Sequence, residues 1–290
     1  MCQLFFRGIA RAVPGRQTHV THAPGFTPTL GIIAMQPIYQ RIRTRARQIA
    51  ETFPAPDFYF DHAEANALSL RLLQQNPEMP RLEKIVSAHL EDNFGHGFKH
   101  SRKVTLDAGA LMIIEGRQAG HPEKAVHHNV MLAHMAGMLH DVKRKEKDHA
   151  VAGAVFSREV LQDFPLSAQE QDDISIAIRN HEAFKKGIPI RRPDGILIAG
   201  CLYDADKFRW GPDNFTDTVW DMVAFHNPPL SQFIKYYPEG MQGIEKIKKT
   251  FRTATGKVYG PQFIELGIAI GNRLYKTILT EFKSDLASNM

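Results

Sequence analysis

Cysteine is almost absent, with only Cys2 and Cys201 in 290 residues. That excludes a disulfide framework and a cysteine-built zinc site, and so sparse a use of thiols fits a reducing compartment. No uninterrupted apolar run reaches the roughly 18 residues a membrane-crossing helix needs, so no membrane span is expected. Walker-type phosphate loops, internal repeats and strong strand runs are missing too, which leaves an all-α reading. Acid is missing from the first fifty residues, which hold seven arginines (7, 11, 16, 41, 43, 45 and 47) and not one Asp or Glu. The net charge of +5 comes from that stretch alone. The remainder is close to neutral, and basicity makes no general case for nucleic-acid binding.

What the chain does have is apolar content, 43% of its residues, enough for a sizeable core. Residues 1–34 scatter proline and glycine without a period and are expected to be a disordered leader or an extended start, with Met35 as the biological beginning. From there the pattern predicts helices over Pro37 to Thr52, Ala63 to Gln75 and Pro80 to Asp92. Ser167 with Glu170 three residues on forms a capping box ahead of another. A helix over Asp194 to Phe208 follows, then segments near Thr216 to Phe225, Leu230 to Tyr236, Gly243 to Arg252 and Pro261 to Leu286. Pro238-Glu-Gly and a turn near Gly256 are expected to separate the last three. The final helix, apolar along one face, serves a core or a homodimer.

Several polar residues fall in line with the apolar faces of these helices. His100 leads Val104, Ala108 and Leu111; Asp141, just after His140, follows Val130, Ala133 and Gly137; His149 leads Ala152, Gly153, Phe156 and Val160; His181 follows Ile174, Ala177 and Ile178. Asp206 continues Ala199 and Leu202, while Asp204, about 200° around the same helix, is the fallback. One histidine on an apolar face is more often a satisfied core residue than a ligand. Imidazoles and carboxylates aimed together at one interior need a shared partner, and a divalent metal suits the mixture. Histidine with carboxylate favours Mn, Fe, Co, Ni or Zn over an all-oxygen Mg site.

The order His100, His140-Asp141, Asp206, in the contexts HSRKV, LHDV and DADKF, resembles the HD-domain superfamily of metal-dependent phosphohydrolases. The resemblance covers about residues 90 to 215. It implies a multi-helix bundle, here a single helical domain over 35–290 with helices added at both ends. It also implies metal ligands at His100, His140, Asp141 and Asp206. His149 and His181 resemble the histidines with which some members hold a second metal or grip phosphate, although the nine-residue interval from His140 to His149 argues against a full dinuclear set.

Lys143 and Arg144 follow the His-Asp pair by two and three residues, as solvated surface or as contacts to an anionic substrate. With Asp141 they make up the expected catalytic set. His96, four residues before His100, is either a loop histidine or a substrate contact. The resulting expectation is a cytoplasmic phosphohydrolase that cleaves a mono- or diester of a nucleotide or small phosphorylated metabolite. The alternatives are a non-hydrolytic metal- or nucleotide-sensing module and a di-iron oxygenase on the same fold.

Overall fold

The first helix, α1 (Pro37–Ala50), begins with proline at its first position, where the missing N–H costs nothing, and buries Tyr39, Ile42, Ala46 and Ile49 along one stripe. The protein is described by a computed structural model covering residues 35–90 and 97–287. The expected leader and His96 lie outside the described residues. Among those described, helices and turns account for all regular structure and there is no strand; the chain is all-α.

After α1 come the short α2 (Phe58–Asp61), α3 (Ala63–Gln75) and α4 (Met79–His89). The central pair is α5 (Phe98–Gln118) and α6 (Glu123–Leu139), buried along most of their lengths. Around them pack α7 (His149–Leu161), α8 (Ala168–Arg179) and α9 (Pro193–Phe208). A π-helical turn (Asn214–Thr218) then leads to α10 (Val219–His226), α11 (Leu230–Ile247), α12 (Ala254–Glu281) and α13 (Lys283–Ala287). Buried apolar residues from Tyr39 in α1 to Ile278 in α12 form one cluster. Among the described residues no helix is long and apolar enough to cross a membrane.

Two local features position the site. A Cβ added to Gly137 would stand 2.7 Å from the Cα of Thr105, so α5 and α6 meet there backbone to backbone. That approach draws the end of α6 against the first turn of α5. The capping box of α8 forms as its sequence predicts: Ser167 Oγ accepts from Glu170 N, and Glu170 Oε2 accepts from Ser167 N at 2.7 Å. It anchors the helix that ends just before His181.

Two expected breaks are absent. α11 runs through Pro238, which is exposed, because Phe233, Tyr237, Gly240, Ile244 and Ile247 keep one continuous buried face. α12 starts at Ala254 and runs through Pro261, so Gly256 is its third residue and not a turn. Thr253 caps it by accepting from Gly256 N at 2.8 Å. Near residue 216 the chain makes the π-helical turn before α10 begins at Val219.

Candidate metal centre

The polar residues that share apolar faces meet near helix ends. His100 stands in the first turn of α5, His140 caps α6, Asp141 follows in the turn, and Asp206 lies in the last turn of α9. All four are buried. His100 Nε2 is 3.3 Å from His140 Nε2, 3.4 Å from Asp206 Oδ1 and 3.8 Å from Asp141 Oδ2. His140 Nε2 is 3.6 Å from Asp141 Oδ2 and 3.8 Å from Asp206 Oδ1. Donors about 2.1 Å from one ion stand about 3.0 Å apart at a right angle and about 3.4 Å apart at the tetrahedral angle. The donors of His100, His140 and Asp141 lie close enough together for one cation, and Asp206 Oδ1 stands beside the two imidazoles.

A second group shares the same aspartate. His149, the first residue of α7, places Nε2 3.6 Å from Asp141 Oδ1, and His181 Nε2 is 3.5 Å from that oxygen. Asp141 thus turns Oδ2 to His100 and His140 and Oδ1 to His149 and His181. Both triads have donor atoms close enough together for one ion each. The nine-residue interval does not hold His149 away, because successive turns, with Arg144 N bonded to Asp141 O and Glu146 N to Lys143 O at 2.9 Å each, fold the segment back. Arg144 enters this second group: its Nη1 is 2.9 Å from His149 Nε2 and 3.4 Å from Asp141 Oδ1.

The imidazoles are oriented from behind. His140 Nδ1 lies 2.8 Å from Gly137 O and His181 Nδ1 lies 2.6 Å from Ile178 O; a nitrogen facing a carbonyl must donate, which leaves each Nε2 as the lone-pair atom facing Asp141. Burial lowers the pKa of His140 to about 4 and that of His149 to about 3, so both are neutral near pH 7, the form a cation requires. Burial works to raise the Asp206 carboxyl, but the adjoining Lys207 ammonium, with His100 and His140, holds it well below the usual range.

A small cleft of about 40 Å³, open to solvent, reaches the site and is lined by His100, Asp141, Arg144, His181, Asp206 and Lys207, among others. Lys143 does not line it. Its ammonium lies 4.8 Å over the Phe156 ring and 3.6 Å from Glu146, so the pairing with α7 takes it away from the donors. Asp204 is also elsewhere: its oxygens accept from Arg252 N, Thr253 N and Thr253 Oγ1, each at 2.8 Å, at the start of α12. Burial raises its pKa to about 6 against those bonds.

Lys207 is a site residue that residue spacing does not reveal. Neighbours along a helix point about 100° apart, yet the long side chain folds back so that Nζ pairs with Asp206 Oδ2. Glu182 and Arg209 line the same cleft; the first adjoins His181, and the second follows the DADKF run.

No protein-family model matches the sequence, and no curated protein does. Among solved structures the chain is similar to a predicted HD superfamily hydrolase from an uncultured Thermotogales bacterium. The two share 19% identity over 76% of this chain and 97% of the other, with a TM-score of 0.39. At that distance the likeness carries no residue role across. The donor geometry stands on its own.

Proposed function

We propose that the chain is a metal-dependent phosphohydrolase of the HD-domain type, acting in the cytoplasm on a mono- or diester of a nucleotide or small phosphorylated metabolite. The observation that carries the reading is the division of Asp141, one oxygen toward His100 and His140 and the other toward His149 and His181, with Asp206 beside the imidazoles of the first group. A divalent ion held by His100, His140, Asp141 and Asp206 supplies Lewis acidity and the means to deprotonate water near neutral pH.

The chain's own groups do the rest. Burial keeps His140 and His149 neutral, and the Gly137 and Ile178 carbonyls hold the rings of His140 and His181 in place with their Nε2 lone pairs toward Asp141. Arg144 and Lys207 bring cations to the cleft wall, where phosphoryl oxygens gain charge during P–O cleavage. Lys143, engaged with Phe156 and Glu146, has no part in the reading.

Metal analysis of the purified protein, with a panel of phosphomonoesters and phosphodiesters, tests it on the parent and on Asp141→Asn. The expected result is bound transition metal and turnover in the parent, both lost in the variant. A parent that holds no metal after Mn or Fe is supplied overturns the reading.

A further inference from the structure

Next to the metal cleft lies a second one, of about 420 Å³, lined among others by Arg47, Lys99, His100, Lys103, Arg209 and Asp217. His100, Arg209 and Thr218 also line the metal cleft, so the two clefts adjoin across these residues. The second cleft is built by three elements: α1 brings Arg43 and Arg47, the first turns of α5 bring Lys99 and Lys103, and the π-helical turn brings Asp217.

Its cations gather on shared carboxylates. Asp217 faces Arg47 at 3.1 Å, Arg43 and Lys99 at 3.4 Å and Lys103 at 3.7 Å. Asp213 is already held by Lys103 at 2.7 Å and by Arg209, and Arg209 also pairs with Asp107. Among the described residues, Arg47, Lys99, Lys103 and Arg209 thus share the carboxylates of Asp107, Asp213 and Asp217. Gly97 and Phe98 open the 21-residue helix α5, so the positive end of its dipole adds to the same field. Burial would raise the Asp217 pKa, but Lys103, Lys99 and Arg47 outweigh it and hold it below the ordinary carboxylate value. Asp217 therefore stays ionised and gathers the cations at one spot, and the side chains of Arg47 and Lys99 remain 48% and 72% exposed to whatever enters.

We infer that this cleft is an anion subsite, and that the substrate is a phosphate ester carrying a second anionic group, phosphate or carboxylate, beyond the scissile one. The scissile group lies at the metal centre, so this inference rests on the phosphohydrolase reading. The second group extends past His100 toward Arg47, Lys99 and Lys103. A guanidinium and an ammonium that are partly exposed and gathered by one carboxylate exchange water for a substrate anion at little cost, and each charge-assisted bond favours the doubly charged ligand.

The test compares two ligands that are not hydrolysed, 6-phosphonohexanoate and hexylphosphonate, which differ in the terminal carboxylate. Binding is measured by calorimetry on the protein as purified, alongside its metal content. The parent is expected to prefer the carboxylate-bearing ligand by about tenfold, the worth of one charge-assisted contact of about 1.4 kcal/mol. The surface pair Arg47→Gln/Lys99→Gln removes that margin, while Lys84→Gln/Lys257→Gln, exposed residues lining neither cleft, keeps it. Equal affinity for both ligands in the parent, a preference that survives the first pair, or one that the control pair removes equally overturns the subsite. Metal content and turnover report separately on the hydrolase reading, so a failure there is distinguishable from a failure of the ligand preference.

Discussion

Asp204 and Asp206 are two residues apart on one helix and have different partners. Asp204 is fully buried and accepts three bonds at 2.8 Å, two from the backbone N–H groups of Arg252 and Thr253 and one from Thr253 Oγ1. Asp204→Ala strands those two N–H groups at the start of α12. At about 1 to 3 kcal/mol for each buried donor left unpaired, with about 1 kcal/mol for the lost hydroxyl bond beside them, the cost is about 3 to 7 kcal/mol. A chain of 290 residues has an unfolding entropy of about 0.6 kcal/mol/K, so the midpoint should fall by about 5 to 12 °C. Metal content, measured well below that midpoint, should match the parent. Asp206→Asn should lose metal instead, because it removes the carboxylate oxygen 3.4 Å from His100 Nε2. Calorimetric melting with metal analysis of both variants decides the matter. An Asp204→Ala protein that melts like the parent, or that folds and lacks metal, refutes the assignment, as does an Asp206→Asn protein that keeps its metal.

Two further outcomes follow from charge. Arg144 Nη1 occupies the donors His149 Nε2 and Asp141 Oδ1, so Arg144→Ala should raise metal stoichiometry from one ion per chain toward two; an unchanged ratio by elemental analysis would show that the guanidinium excludes nothing. His134 is buried against Ser69 Oγ at 3.0 Å, and burial lowers its pKa from 6.5 to about 3. The unfolded chain then binds this proton first as pH falls below 6.5, so stability should drop by about 2 kcal/mol between pH 6.5 and pH 5 from this residue. Denaturant titrations at pH 7.5 and pH 5 should show that loss in the parent and a smaller one in His134→Leu; an identical loss in both would remove His134 as the cause.

The convergence of the site is legible in the sequence because each donor extends an apolar stripe, as His100 does with Val104, Ala108 and Leu111, and a stripe records direction toward the core. Periodicity does not separate Asp204 from Asp206, because α9 is buried nearly all round and Gly200 and Cys201 beside Asp204 are as buried as Ala199 and Leu202. Position relative to the cleft is also less legible: Lys143 and Arg144 stand side by side in sequence, yet Phe156 and Glu146 engage one and Asp141 and His149 the other. Lys207 escapes because its reach, and not its angular position, brings it to Asp206. In the fold, helix positions follow periodicity closely, whereas α11 and α12 continue through prolines that local rules treat as breaks. A long buried face outweighs the single backbone bond each proline removes. The cationic cleft is the least legible part, since α1, α5 and the π-helical turn bring together charges more than a hundred positions apart.

Asp141 also makes the two halves of the site thermodynamically inseparable. One carboxylate serves both, so whatever draws charge onto Oδ2 at His100 and His140 weakens Oδ1 as a partner for Arg144, and a phosphate that pulls Arg144 away restores Oδ1 to His149 and His181. Linkage requires the effect to be reciprocal: the factor by which occupancy of the first group alters affinity at the second equals the factor in the other direction. Coupling between two filled groups would need no moving domain, only the two oxygens of one side chain.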